Sequence, residues 1–477
     1  MVKQVSGGSR LLQFGHFTLS EWLVLAQHEL LLFAGIFFLL GAVDELATDL
    51  IWLWLRMTGR ARDLILAAET SDSAPLSGQA AVFIPAWRED RIIGITVRHL
   101  LASWPQEAMR LYVGCYANDP ETLLAVSHAA KGDARVRIVV HDSHGPTTKA
   151  DCLNRLHRAL LVDEARQGFA ARMVVLHDAE DMVDPASLAL LDGALRGVEM
   201  IQLPVLPLPQ PQSRWIGSHY CEEFAEAHGK ALVVRSALGA NIPLAGVGCA
   251  LSRDTIARLA NLRDDGPFAT DCLTEDYELG VGIGAVGGRS RFLRARTQEG
   301  RLVATRAYFP ARIDQAVRQK TRWVHGIAFQ SWDRLGWGGH PSDVWMRLRD
   351  RRGPLTALVL AVAYALLILF GISWLLRLGG MGEPLIVSPL MKIILVANFV
   401  SLLWRGAMRF AFTAREYGSG EGMRAILRVP VTNIIAILAG RRALGAYVRT
   451  LRGHQLRWDK TEHHAHPAEF PDAILAA

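Results

Sequence analysis

Acidic residues and an Arg/Trp cluster are the parts of this 477-residue chain whose types and spacing suggest chemistry. The stretch LTEDYELG contains Thr274, Glu275 and Asp276. An Asp that lies close to a metal-bound diphosphate can take the proton from an attacking hydroxyl group. A Thr followed by acids is also typical of a helix N-terminus, so the alternative role for this motif is that Thr274 caps a helix. The two roles are compatible.

A second acidic group, Asp178, Glu180 and Asp181, stands where a predicted strand ends. Asp178 and Glu180 are two positions apart, so their carboxylates can converge once the backbone turns. Carboxylate oxygens suit Mg²⁺ or Mn²⁺, which bridges to the phosphates of a substrate. An acidic loop that is only solvated is the alternative, and this motif alone does not decide between the two.

The third group is QKTRW, in which Gln319, Arg322 and Trp323 stand at positions i, i+3 and i+4. These positions share one face of a helix. Arg presents a fixed positive fork for phosphate, and Trp a flat apolar surface on which a sugar ring can pack. A membrane-surface helix with an interfacial Trp is the alternative.

The elements that must position these groups begin near Ala80. Apolar runs predict strands, and helical spacing predicts helices between them. In chain order, the predicted strands are 80–86, 111–119, 136–142 and 173–181, and the helices 92–103, 121–130 and 149–161. This alternation predicts an open, mostly parallel sheet, which binds ligands beyond the carboxyl ends of its strands. Polar clusters stand at those ends, at 88–90, 118–119, 141–142 and 178–181.

The glycines between Gly282 and Gly287 match the dinucleotide-binding fingerprint literally. That fingerprint should follow a first strand and open a helix. Here it follows the polar, acidic TEDYEL. We therefore predict a Gly-rich turn or a loosely packed helix, and no dinucleotide site.

Composition favours a membrane setting. Hydrophobic residues make up 51% of the chain, and the net charge is +6. The arginines flank apolar segments and do not form one tract, which favours anionic lipid or an anionic substrate over nucleic acid. Five scattered cysteines without a C-x-x-C predict reduced, buried thiols.

Several apolar stretches predict membrane helices. Leu30–Val43, extended by Leu23–Ala26, reaches spanning length, with a buried core helix as the alternative. The following IWLWLRM is predicted to be interfacial. Leu355–Leu375 and Leu385–Leu403 are further predicted spans, and Glu421–Leu444 is an interfacial segment or a weak fourth span. Flanking arginines place the region between the spans in the cytoplasm.

These observations divide the chain into five parts. They are 1–62 with a transmembrane and an interfacial helix, a linker at 63–79, a cytoplasmic domain at 80–340, a transmembrane hairpin with interfacial helices at 341–453, and a polar tail at 454–477. Three histidines in the tail, His463, His464 and His466, could ligate a metal, but a solvated terminus is the favoured prediction.

The motifs together resemble those of family 2 glycosyltransferases, over about Ala80–Phe329. FIPAWRE resembles the first-strand VPAYNE, YANDPET contains an acid like the one that faces the nucleotide base, and KADCLN resembles KAGALN. DAE stands where the metal-binding DxD lies, with Glu for the second Asp. LAGVGCALSR resembles the Gly-rich acceptor-side segment, and TED and QKTRW match TED and QxxRW. HDAED, LTEDYELG and WDKTEHH are similar to the bacterial phage-adsorption-type inner-membrane members.

The resemblance implies an α/β fold of the GT-A type, a cytoplasmic Rossmann-like domain with a mostly parallel sheet and flanking transmembrane and interfacial helices. It also implies roles for individual residues. These are Asp276 as catalytic base, Pro85, Glu89, Asp119, Lys149, Asp178 and Arg322 for the nucleotide sugar, Thr274, Glu275, Gln319 and Trp323 for the acceptor, and Asp178 and Glu180 for Mg²⁺ or Mn²⁺.

The implied activity is inverting transfer of a hexosyl or N-acetylhexosaminyl group from a nucleotide sugar, expected to be a UDP-sugar, to a growing glycan. Processive exopolysaccharide synthesis coupled to export is the leading hypothesis. The expected setting is the bacterial inner membrane, multi-pass, with a homo-oligomer or an outer-envelope export partner and without nucleic acid. Two alternatives stay open: single-sugar transfer to a lipid-phosphate carrier, and a non-catalytic membrane assembly or receptor component.

Overall fold

The computed structural model describes residues 13–14, 17–67, 74–380, 384–454 and 466–469. The chain divides into two compact units. The first is Met1–Ala47 with Leu355–Ala407, and the second is Thr48–Pro354 with Met408–Ala477. The predicted linker at 63–79 lies partly outside the described residues, because the described ranges end at 67 and resume at 74.

The strands of the described residues are short, and most lie between residues 79 and 307. In chain order they are β1 (Gln13–Phe14), β2 (Phe17–Thr18), β3 (Leu64–Ile65), β4 (Gln79–Pro85), β5 (Met109–Tyr116), β6 (Val136–His141), β7 (Ala171–Leu176), β8 (Met200–Gln202), β9 (Val205–Pro207), β10 (Cys249–Ser252), β11 (Ser290–Phe292), β12 (Ala295–Arg296) and β13 (Thr305–Ala307).

The α-helices alternate with these strands and then follow them. They are α1 (Leu19–Met57), α2 (Ile93–Ser103), α3 (Pro120–Ala130), α4 (Lys149–Gln167), α5 (Ser187–Ala194), α6 (His219–Glu226), α7 (Leu232–Ala237), α8 (Arg253–Ala260), α9 (Glu275–Gly282), α10 (Ile313–Val324), α11 (Ser331–Leu335), α12 (Pro341–Arg351), α13 (Gly353–Leu378), α14 (Pro389–Tyr417), α15 (Ser419–Leu427) and α16 (Val429–Leu451). Wider π-helical turns join α6 to α7 and α10 to α11.

One seven-stranded sheet lies at the centre of the second unit, in the order β11-β8-β10-β7-β4-β5-β6. Strand β4 pairs in parallel with β5 and β7, and β5 pairs in parallel with β6. Strand β10 runs antiparallel to both of its neighbours. The predicted mostly parallel sheet is therefore present. The carboxyl ends of β4, β5, β6 and β7 meet at one edge.

Helices cover both faces of this sheet, as the continuous apolar runs of its central strands require. Val82 of β4 belongs to the same hydrophobic core as Val97 of α2. The next residue, Phe83, belongs to a second core with Leu156 of α4. Alternate side chains of β4 thus fix a helix layer on each side. These layers hold the strand ends in place.

The first unit contains long apolar helices. Among the described residues, α1, α13 and α14 are long and apolar enough to cross a membrane, and the bent pair α15–α16 makes a fourth if it counts as one span. Within this unit, Gln27 Nε2 donates to Ser373 Oγ at 2.8 Å. The third span was predicted to begin at Leu385, but its helix begins at Pro389, where the fixed φ of proline suits a first helical turn.

The separate interfacial helix predicted after the first span is not present as such. Helix α1 continues without a break to Met57, because its sequence holds no Gly or Pro after Gly41. Asp49, just before IWLWLRM, lies fully buried, and its Oδ1 accepts a hydrogen bond from Lys230 Nζ at 2.5 Å. The charge is therefore held by a partner within the second unit.

Helices α15 and α16 meet at a bend of 52°. Arg428 lies fully buried at this junction, with Nη2 2.7 Å from Glu222 Oε2 and Nη1 2.5 Å from Glu421 Oε1. The bend agrees with the predicted weakness of this segment as a span. Both predicted alternatives for it remain.

Five charged side chains in the second unit form what we call the arginine cluster: Asp63, Arg294, Arg296, Arg415 and Glu416. Asp63 pairs with Arg294 at 3.1 Å, Arg296 at 2.8 Å and Arg415 at 2.6 Å. Glu416 pairs with Arg294 at 2.9 Å and Arg296 at 2.6 Å. The cluster ties the segment after α1 to the end of α14.

Two further predictions concern a Gly-rich stretch after α9 and a His-rich stretch in the tail. The residues Ile283–Val286 form a 3₁₀ turn directly after α9, which confirms the predicted Gly-rich turn. In the tail, WDKTEHH with His463 and His464 lies outside the described residues. His466 is described and fully buried, so the predicted solvated terminus is wrong at this residue. An imidazole can enter a core where both ring nitrogens find partners.

Candidate active site

A cavity of about 720 Å³ opens in the second unit, between the carboxyl ends of the parallel strands and helices α9, α10 and α12. All the predicted site residues except Asp119 line it. They are Pro85, Glu89, Lys149, Asp178, Glu180, Thr274, Glu275, Asp276, Gln319, Arg322 and Trp323. The convergence expected from the strand ends is therefore present.

The side of the cavity at the strand ends is built from two strand–helix turns. Lys149 is the first residue of α4, whose start is capped by Thr148 Oγ1, which accepts the Asp151 N–H at 3.2 Å. Asp178 stands two residues after β7 ends. Lys149 Nζ lies 2.5 Å from Asp178 Oδ1, which places a positive charge and a carboxylate side by side at the strand ends.

Asp276 lies in the first turn of α9 and faces the same point. Gly246 has a φ of +77°, which L side chains rarely adopt. A Cβ at Gly246 would lie 2.7 Å from Asp276 Oδ2 and 3.2 Å from Lys149 Nζ. The backbone can pass between these two groups only because position 246 has no side chain.

Lys149, Asp178, Glu275 and Asp276 form what we call the site cluster, in which acids outnumber the cation. Burial, and then the charge of Asp276, raise the pKa of Glu275 to about 7. Burial also raises the pKa of Asp276, although Lys149 opposes this. Burial lowers the pKa of Lys149, but Asp178 and the other two carboxylates outweigh it, so the net direction is upward. The lysine is therefore charged.

Thr274 does not cap α9, although the helix begins where its sequence predicts. Its side chain makes no capping hydrogen bond to the helix. The side chain instead lies against Gly326 in the π-helical turn after α10, where a Cβ would clash with it. This contact packs the TED segment against the turn that follows the QKTRW helix.

Helix α10 contributes Gln319, Arg322 and Trp323 to the cavity, and the three residues share one face of the helix as predicted. The Trp323 ring packs edge-on against Tyr220, with centroids 6.1 Å apart. Lys320, on the same helix, pairs with Glu223 of α6. Phe224 of α6 also contacts the Trp323 ring, with centroids 6.4 Å apart, so α6 holds α10 through two aromatic contacts and one ionic contact.

Asp119 is the exception among the predicted site residues. Its carboxylate accepts the N–H of Arg88 at 2.5 Å and the N–H of Thr122 at 3.4 Å, the second as the cap of α3. The side chain is buried and does not line the cavity. In this structure it shapes the turn after β4, where Arg88 has a φ of 53°.

Several cavity residues were not singled out by the sequence. Trp87 and Tyr116 line the cavity, with ring centroids 5.0 Å apart. Each adjoins a polar cluster at a strand end, a position that could have identified it. Phe224 and Glu223 also line the cavity, but nothing in the sequence near α6 points to them.

The fit of a divalent metal rests on two carboxylates. Asp178 and Glu180 line one cavity. Within the described ranges, no group of three or more His, Cys, Asp or Glu side chains is arranged to hold a metal ion. Mg²⁺ is commonly bound through one or two carboxylates plus substrate phosphates and water. The two residues fit that pattern.

Comparison with known proteins identifies related sequences. Residues 78–326 match the family described as Glycosyltransferase like family 2. Bacteriophage adsorption protein B of Escherichia coli K12 is 31% identical over 420 residues, covering 82% of this chain and 55% of that protein. Bacteriophage N4 adsorption protein B of Escherichia coli O157:H7 shows the same identity and coverage. The chain thus spans about half the length of these curated relatives.

Solved structures show a weaker likeness. A mannosyltransferase from Pyrobaculum calidifontis in complex with GDP-Man and Mn²⁺ is 17% identical with a TM-score of 0.46, covering 87% of this chain and 99% of that one. Glucosyl-3-phosphoglycerate synthase of Mycobacterium tuberculosis is 17% identical with a TM-score of 0.34, covering 55% and 82%. The family match confirms the predicted GT-A fold class. The chain belongs to glycosyltransferase family 2.

Proposed function

We propose that the protein is an inverting glycosyltransferase that moves a sugar from a nucleotide sugar to a hydroxyl of a glycan. One observation carries the proposal: a single cavity brings together Asp178 and Glu180, Lys149, Asp276 and the α10 face. A donor diphosphate, an attacking hydroxyl and an acceptor ring each find a chemically suited neighbour there.

The donor is held by charge. Lys149 Nζ, 2.5 Å from Asp178, can share its charge between that carboxylate and a diphosphate in the same cavity. Arg322 adds a second cation from α10. Asp178 and Glu180 would hold Mg²⁺ or Mn²⁺, which when bound neutralises the charge that develops on the departing diphosphate.

Asp276 acts as the general base. Its carboxylate takes the proton of the acceptor hydroxyl while the oxygen attacks the anomeric carbon, and the bond to the diphosphate breaks with its electron pair. Burial strengthens this base by raising its pKa, and Lys149 opposes that rise. Glu275, with a pKa near 7, adds a neighbouring charge that varies around neutral pH.

The acceptor sugar packs on Trp323. The Trp323 ring is held by the rings of Tyr220 and Phe224, at centroid distances of 6.1 and 6.4 Å. A held ring presents a flat apolar face at little entropic cost, which suits a pyranose. The aromatic pair Trp87 and Tyr116 at the other end is suited to a nucleobase.

The finer assignment is processive exopolysaccharide synthesis from a UDP-sugar, with export across a bacterial inner membrane. It is supported by the position of the QxxRW helix in the cavity and by the three helices able to span a membrane. The catalytic domain then lies in the cytoplasm, and a homo-oligomer or an outer-envelope partner completes the export route.

Purified protein in detergent, incubated with Mn²⁺ and a panel of UDP- and GDP-sugars, tests this function. We expect release of nucleoside diphosphate with one donor, loss of release on adding EDTA, and a polymeric product by size. A product with one added sugar on a lipid phosphate overturns processivity alone. No release with any donor, in the presence of membrane extract as acceptor, contradicts the enzymatic assignment.

A further inference from the structure

The short turn at residues 466–469 lies against the back of the loop that carries Asp178 and Glu180. His466 is fully buried there, and Pro467 is buried beside it. The His466 ring faces His99 of α2, with centroids 6.4 Å apart. The segment lies far along the chain from the residues that line the cavity, and it does not line the cavity itself.

Both nitrogens of His466 have partners. Nδ1 accepts the N–H of Ala468 at 3.1 Å, and Nε2 lies 3.3 Å from the carbonyl oxygen of Asp181. A neutral ring with its proton on Nε2 satisfies both contacts, since one nitrogen accepts and the other donates. Burial lowers the pKa of His466 to about 4, which favours this neutral form at physiological pH.

Asp181 connects His466 to Asp178, which lines the cavity. Its Oδ2 accepts the N–H of Asp178 at 2.9 Å and faces His177 Nδ1 at 2.8 Å. The same residue therefore touches His466 through its carbonyl oxygen and Asp178 through its carboxylate. Two hydrogen bonds separate the tail from a proposed metal ligand.

Helix α2 supports the same loop from a neighbouring position. Thr96 Oγ1 donates to the carbonyl oxygen of Ala179. His99 Nε2 lies 3.0 Å from the carbonyl oxygen of Val183. Two carbonyl oxygens of this part of the chain thus contact α2. A third, that of Asp181, contacts His466, which lies more than 280 residues further along the chain.

We propose that His466 is a positioning residue for the loop that carries Asp178 and Glu180: docking of residues 466–469 on Asp181 fixes the orientation of both carboxylates. The role of the loop in donor binding rests on the proposed function, whereas the docking itself does not. A loop held on this side keeps its two carboxylates directed into the cavity, which reduces the ordering that donor binding must impose.

The matched pair His466→Gln and His466→Asn tests the contact. The Gln amide nitrogen reaches the position of Nε2 and can still donate to Asp181, whereas the shorter Asn cannot. The exposed His454→Ala is the control on the same tail. The first readout is hydrogen exchange of backbone amides 177–183 in the full-length protein, without any ligand.

We expect exchange of these amides to be about tenfold faster in His466→Asn, and near wild type in His466→Gln and His454→Ala, because one buried hydrogen bond is lost. The second readout is the Kd for UDP with Mn²⁺, which should rise about tenfold in His466→Asn alone. Unchanged exchange in His466→Asn overturns the proposal. A different result separates the two proposals. If exchange is faster in His466→Asn but the wild-type protein binds neither UDP nor GDP, the proposed function is contradicted and the docking role stands.

Discussion

The site cluster and the arginine cluster are both groups of largely or partly buried charges, but their balance is opposite. In the arginine cluster, three arginines surround two carboxylates. The pKa of Asp63 falls to about 2, since burial, which raises it, is outweighed by Arg294 and Arg415. In the site cluster one lysine faces three carboxylates, and the pKa values of Glu275 and Asp276 rise.

The difference indicates which cluster is structural. A carboxylate with surplus cations around it stays ionised at every physiological pH and exchanges no proton, so it serves as a fixed tie. Burial and neighbouring negative charge raise the pKa of carboxylates in surplus, and such a group favours added positive charge. The site cluster therefore has both properties that glycosyl transfer needs: a base whose pKa is raised, and a place where a cation is stabilising.

The largest effect should come from removing the one cation of the site cluster. Lys149→Met should lower kcat/KM for the donor about a thousandfold, because diphosphate stabilisation is lost. Lys149 lowers the pKa of Asp276, so its loss raises that pKa and moves the acid limb of the pH–rate profile to higher pH. Steady-state kinetics from pH 5 to 9 measure both, with exposed Lys131→Met as control. An unshifted acid limb would separate Asp276 from Lys149.

The corresponding change in the arginine cluster should affect stability instead. Asp63→Asn leaves the buried Arg294 and two less buried arginines short of a carboxylate, which costs about 3 kcal/mol of folding free energy. Because the folded pKa of Asp63 lies below its ordinary 3.8, this contribution is present above about pH 4 and is lost as the pH falls toward 2.

Thermal unfolding in detergent at pH 7 and at pH 3 measures this, with turnover per folded molecule as the second readout. We expect a lower melting temperature at pH 7, a smaller difference at pH 3 and unchanged turnover. A loss of turnover without a loss of stability would mean that the arginine cluster is functional too, and the contrast between the clusters would fail.

A smaller effect should follow from crowding the site cluster without changing its charge. Gly246→Ala places a Cβ 2.7 Å from Asp276 Oδ2 and should reduce kcat about tenfold by displacing that carboxylate. Gly239→Ala is the matched control, because φ is +69° there and no atom lies within 4 Å of the added Cβ. Both variants bear similar backbone strain, so equal kcat values would contradict the proposed position of Asp276.

The smallest effect is expected for an exposed ion pair. Arg312 and Asp314 lie 3.0 Å apart with side chains 75% and 49% exposed. Arg312→Ala should change neither the melting temperature nor turnover measurably, since solvent and salt screen such pairs. A clear loss of turnover would instead indicate that this surface contacts the substrate.

The sequence predicts the parts of the site that depend on local pattern. Apolar runs ending in polar clusters predict the strand ends, and the spacing of Gln319, Arg322 and Trp323 predicts one helical face. Both predictions agree with the structure. Local pattern suffices here because parallel strands bring their carboxyl ends to a common edge whatever the loops between them do.

Contacts between distant segments could not be predicted in this way. Glu223 and Lys320 pair across 97 positions, and His466 reaches Asp181 across 285. The single sequence carries no signal for either contact. Asp119 makes contacts of the same kind: its carboxylate accepts the backbone N–H groups of Arg88 and Thr122, which the sequence does not reveal, and its role in binding the nucleotide stays a prediction.

Asp276→Asn tests the central claim most directly, because it keeps the shape of the base and removes its charge. We predict that UDP and Mn²⁺ bind within about threefold of wild type while turnover falls by at least about a thousandfold. Exposed Asp254→Asn should match wild type in both measurements. Wild-type turnover in Asp276→Asn would contradict the assignment of Asp276 as the base of glycosyl transfer.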